Sequence, residues 1–102
     1  GMLPGAVAKF EELYVALENQ GLHPRVTGGY GSHGGDEDLR TYGVVCDMQC
    51  DDRDALEAQA AVLGITVQDD GSLAYTNGLT MADFRTNRVQ GDLTIATDEE
   101  VQ

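Results

Sequence analysis

A chain of 102 residues holds one domain and buries about two-thirds of its unfolded surface, so its core needs no disulfide or metal staple. Against 6 lysines and arginines stand 18 acidic residues, and the net charge of −12 repels phosphate backbones and anionic lipid. That charge speaks against nucleic acid or a membrane as partner and leaves a cation, a basic protein partner or a salt-rich setting.

Gly1 ahead of Met2 reads as a residue left by tag removal. No apolar run reaches bilayer length, no signal peptide is visible, and two cysteines, Cys46 and Cys50, are few for a secreted scaffold. The expectation is a reduced, cytoplasmic protein.

Residues 3 to 20 have the periodicity of a helix. Val7, Phe10, Leu13, Tyr14 and Leu17 recur at three- and four-residue steps, Pro4 suits the first turn, and Gly21 ends the helix with Leu22 folding back on Leu17. Pro24 pushes His23 towards extended backbone, so Pro24 to Tyr30 begins a strand. Residues 31 to 38, GSHGGDED, combine glycine and acid too densely to bury apolar area and read as a mobile loop. From Thr41 the chain alternates, with Tyr42, Val44, Cys46 and Met48 on one face and Val45 on the other, as in a half-buried strand.

Asp51 or Asp52 can cap the next helix, where Leu56, Gln59, Ala60 and Leu63 form a stripe that Ala55 and Val62 widen. Gly64 terminates this helix as Gly21 terminates the first. Gly21 and Gly64 have the same separation as Leu13 and Leu56, a hint of a duplicated helix–strand–strand unit.

Next comes a hairpin whose register the apolar pattern decides. A two-residue loop at Asp70-Gly71 splits Val67 and Leu73 between faces. A three-residue loop, Asp69-Asp70-Gly71, sets Val67 opposite Leu73 and Ile65 opposite Tyr75, and places Gly71 where the backbone needs positive φ. The longer loop is the expected one. Asn77-Gly78 signals a turn, Thr80 with Asp83 could cap a helical turn or lie in an extended loop, and Gly91 to Ala96 reads as a final strand with Leu93 and Ile95 alternating. The acidic tail is expected to fray.

Candidate chemistry is thin. Cys46, Cys50, His23 and His33 supply four soft-metal ligands, and three residues between the cysteines is a spacing zinc tolerates. Against this, Cys46 shares a face with Val44 and Met48, where a cysteine acts as a small hydrophobe. The glycine-rich GGYGSHGG lacks the ending of a phosphate-binding loop and runs into Asp36, Glu37 and Asp38, whose spacing is not that of a calcium loop either. Ser32 beside His33 does not amount to a catalytic constellation. No cofactor is expected.

Residues 80 to 89, TMADFRTNRV, resemble the reactive loop of the potato type I serine protease inhibitors. The resemblance implies that Met81 enters the protease pocket while Arg85 and Arg88 brace the loop against Thr80 and Asp83. Ala82 is an insertion relative to that pattern, Gln90 replaces a second bracing arginine, and Gly91-Asp92 interrupts the following strand. A looser loop, cut as a substrate, is what those departures imply.

The fold expectation is α+β, in the order α-β-β-α-β-β-β, with an antiparallel sheet, both helices on one face and a ferredoxin-like general shape. The leading functional expectation is a non-enzymatic binding or assembly module that forms a homodimer. Two helices cover only one side of such a sheet, so the face of Val45 or an edge strand is left for a second copy.

Overall fold

The computed structural model describes residues 1–29, 35 and 38–97. Helix α1 spans Pro4–Asn19, strand β1 Arg25–Gly28 and β2 Val45–Gln49; helix α2 spans Arg53–Val62, β3 Thr66–Val67, β4 Leu73–Ala74 and helix α3 Met81–Arg85. The class is α+β, with one four-stranded antiparallel sheet in the order β1-β2-β4-β3. A ferredoxin-like shape is not established by this connectivity. It sets two hairpins side by side, where ferredoxin-like proteins interleave a split β-α-β.

Both long helices end as their glycines dictate. Gly21 (φ 81°) and Gly64 (φ 76°) take the left-handed conformation, and the amides of Leu22 and Ile65 donate to Leu17 O at 3.1 Å and Ala60 O at 2.9 Å. Those bonds satisfy carbonyls that the last turn would otherwise leave open. At the start of α2, Asp52 accepts the Ala55 amide at 3.0 Å, so of the two candidate caps it is Asp52 that serves. Two α–β–β units result, with their second strands adjacent. A two-fold axis normal to the sheet between β2 and β4 would generate this arrangement from one unit.

The helices share a face of the sheet. Cys46 lines a groove with Val7, Phe10 and Tyr14 of α1. Tyr75, which follows β4, lies under Lys9 of α1, and its ring is also where a side chain at Gly64 would point. The hairpin register is the expected one: Val67 pairs with Leu73, and Gln68 and Ser72 close the Asp69-Asp70-Gly71 loop through a 2.8 Å bond. Gly71 holds φ at 87°.

Four expectations are corrected. Residues Leu39–Tyr42 form a 3-10 helix, not strand, because Asp38 caps its start and Gly43 (φ 75°) turns the chain at its end. Val45 does not lie on an open face: it is fully buried, as is nearly all of its β4 partner Ala74. The 3-10 helix lies on that side of the sheet, with α3 stacked against it. Arg40 of the 3-10 helix reaches Asp47 two residues along the strand, Tyr42 stacks on Phe84 of α3 at 5.3 Å, and Phe84 and Leu93 join the same buried cluster. Val62 does not widen the α2 stripe; it is 77% exposed, since the helix turns it away from the sheet.

The last strand is reduced to one bridge, Val89 to Ile95. Between them the chain makes a second three-residue loop. Gln90 N–H donates to Thr94 O and Leu93 N–H to Gln90 O, the bonds that Gln68, Ser72 and Gly71 make in the first loop. Leu93 sits at φ 63°, and it is buried where Ile95 is exposed, so the expected alternation fails.

Candidate functional site

Of the four soft ligands, the structure joins two through a carboxylate. The His23 amide donates to Asp51 Oδ1 and its Nδ1 lies 2.9 Å from Asp51 Oδ2, while the Cys50 thiol donates to Asp51 Oδ1 at 3.3 Å. The His23 backbone bond, then its ring and then the thiol hold the Asp51 carboxyl well below the usual carboxylate range. An imidazole oriented by a carboxylate is the arrangement of a general base. Here the Cys50 thiol bonds the same carboxylate that orients the ring.

Cys46 stands apart from this group. It is buried beneath α1, and burial first, then Asp47, pushes its thiol up to about 11. Four residues of extended chain span about 13 Å, whereas thiolates sharing one zinc each lie about 2.3 Å from it. His33 lies outside the described residues. Among those described, no group of three or more metal-ligating side chains converges. Asp51 is the partner that the sequence does not reveal: locally it is, with Asp52, only a candidate helix cap, and the approach of the α1–β1 connection to the end of β2 shows what it holds.

Met81 begins α3, so its peptide bond to Ala82 lies inside a helical turn and is not presented as an extended strand. Thr80 and Asp83 form a reciprocal capping box: Thr80 N–H donates to Asp83 Oδ2 at 2.8 Å and Asp83 N–H to Thr80 Oγ1 at 3.2 Å. Arg85 and Arg88 follow on exposed positions.

The open feature of the molecule lies elsewhere. Strand β1 is an edge of the sheet, and Arg25, Val26 and Thr27 are all exposed. One stripe of α1, Val7, Phe10, Glu11 and Tyr14, overhangs this edge. With Met2, Val26 and Cys46 it walls a groove of about 180 Å³. Its walls are apolar apart from Glu11, an exposed carboxylate with no ion pair among the described residues. Of the neighbouring charges, Lys9 pairs with Glu12 at 2.9 Å, whereas Arg25 donates to the neutral Gln49 amide oxygen and keeps its charge. On the far side of the sheet Arg40 grips Asp47 in a fork, with bonds of 2.7 and 3.0 Å, and no cation lines the groove among the described residues.

No helix among the described residues is long and apolar enough to cross a membrane. No protein-family model matches the chain, and neither a curated protein nor a solved structure does.

Proposed function

We propose that this chain is a small non-enzymatic binding module whose docking site is the edge of β1 beneath the overhang of α1. The observation that carries this is the conjunction of an exposed edge strand with an apolar groove beside it. A sheet edge offers a row of backbone donors and acceptors, and a neighbouring groove can read one side chain of whatever pairs there. The remaining polar clusters are internally bonded and serve the fold. A reducing, cytoplasmic setting belongs to the same reading, supported by Cys46 and Cys50 both being free thiols. Hydrogen exchange tests it without any ligand: the outward amides of Arg25–Gly28 should exchange fast while those of β2 are slow. Protection of the whole of β1 in dilute protein would remove the docking edge and the reading with it.

A second copy is one occupant that this edge accepts. Arg25–Gly28 contains no carboxylate, so two copies meet there with less repulsion than elsewhere on a chain of net charge −12. Pairing of two β1 strands would join the sheets into one. Light scattering should then show a dimer that grows with salt as the acidic surfaces are screened. A strict monomer at high protein and high salt concentration would dismiss it.

A further inference from the structure

We infer that the natural occupant of the β1 edge is an extended cationic segment of another protein, which adds as a further strand, inserts one apolar side chain into the α1–β1 groove and sets a lysine or arginine against Glu11. This rests on the reading of β1 as a docking edge and names what docks. Three observations support it. The groove is walled by Met2, Val7, Phe10, Tyr14 and Val26, so it suits an aliphatic or aromatic side chain. Glu11 is the sole charge on its rim and has no ion-pair partner among the described residues, so a cation is the complement that the rim lacks. The chain as a whole carries −12, which draws a basic segment in from a distance and repels a second acidic copy.

Strand geometry sets the pattern of the segment. Residues on one face of a strand are two apart, so the apolar anchor and the cation should stand at positions i and i+2. The rise between them, about 6.6 Å, is close to the 5.4 Å of one helical turn, the distance that separates successive side chains along the α1 stripe. Alternate residues would point to the other side of the sheet and leave specificity unaffected.

The test uses the whole protein and short fluorescent peptides read by anisotropy. The parent peptide repeats valine-threonine-lysine-threonine, which puts valine and lysine two residues apart on one face; one control replaces valine with serine, a second replaces lysine with glutamate, and a third keeps the parent sequence but N-methylates its central amides. The parent should bind, weaken as salt rises and slow the exchange of the Arg25–Gly28 amides. N-methylation should weaken binding by about tenfold, since it removes backbone hydrogen bonds without touching charge. Glu11→Gln should weaken it by about threefold, the scale of one exposed ion pair, while Glu57→Gln on α2 leaves it unchanged. Equal binding of the serine or N-methylated peptide would show attraction by charge alone and overturn the inference. So would equal losses for Glu11→Gln and Glu57→Gln. A protein that dimerises through β1 and excludes the peptide would overturn it in favour of a second copy. Freely exchanging β1 amides with no peptide bound would sink the cationic segment yet leave the docking edge standing.

Discussion

The loops Asp69-Asp70-Gly71 and Gly91-Asp92-Leu93 have one backbone and opposite surroundings. In both, a glutamine closes the loop: Gln68 N–H donates to Ser72 O and Gln90 N–H to Thr94 O, each at 2.8 Å. In both, the middle aspartate accepts from the amide and hydroxyl of the residue after the loop, Asp70 from Ser72 and Asp92 from Thr94. The third residue is left-handed, Gly71 at φ 87° and Leu93 at φ 63°. The first loop is exposed apart from two arginines: Arg53 donates to Gly71 O at 2.8 Å, and Arg40 lies 3.7 Å from Asp70 Oδ2. The second is enclosed: Leu93 is 1% exposed, Asn77 donates to its carbonyl at 3.0 Å, and the Gly5 amide of α1 donates to Gly91 O at 2.8 Å. A local backbone preference thus yields where burial outweighs it. A left-handed residue with a side chain costs about 1–2 kcal/mol, and burying a leucine returns about 1.5–3 kcal/mol.

Truncation at Leu93 should give the largest effect. Leu93→Ala is expected to cost about 2–5 kcal/mol in denaturant unfolding, as for other buried leucines. Leu93→Gly should be the milder change, by about 1 kcal/mol, reversing the usual order because glycine pays nothing for positive φ. If glycine proves the worse of the two, Leu93 is not strained and the comparison fails.

At the matching position of the first loop the effect should be smaller. A side chain at Gly71 meets nothing nearer than the Arg53 guanidinium at 3.8 Å, so Gly71→Ala should cost only its dihedral term, about 1–2 kcal/mol. The contrasting site is Gly5, where an added Cβ would lie 2.9 Å from the Asp92 backbone. Gly5→Ala should therefore lower the melting temperature through the second loop, and combined with Leu93→Ala its cost should shrink. Additive costs would mean that α1 and the loop are not coupled.

The smallest effect is one of pH. The Ser72 hydroxyl, then its amide, then Arg40 hold the Asp70 carboxyl below its ordinary value. A depressed carboxylate stabilises above its unfolded value of about 4 and loses that contribution as pH falls through the folded value. The melting-temperature advantage of the parent over Asp70→Asn should accordingly be full at neutral pH and narrow in acid. Parallel curves between pH 6 and pH 3 would show that the carboxylate charge plays no part.

What could be read from sequence follows the range of the forces involved. Gly21, Gly64 and Gly71 announce themselves because the conformations they take are costly for other residues, and the helix stripes and the Val67–Leu73 register follow from short-range periodicity. Leu93 gave no such signal, since nothing local favours a leucine at positive φ. Alternation leaves Val45 facing a partner because it counts faces without knowing what covers them; in the structure Val45 is buried in one cluster with Phe84 and Leu93, some forty residues on. The candidate site divides the same way. His23 and Cys50 are visible as residue types, but Asp51 as their organiser and Glu11 as the charge that the described residues set beside an apolar groove depend on elements distant in sequence.

By itself, then, the sequence determined the two long helices, their glycine stops, the tight second hairpin and the acidic surface, because each is decided within a few residues or by simple summation of charge. Tertiary structure alone decided that the Val45 face is closed, that Leu93 is forced left-handed, and that β1, one of the two sheet edges, lies open beneath α1. These depend on which surfaces meet after collapse, where burial of apolar area across long sequence separations outweighs local preferences worth about 1 kcal/mol each.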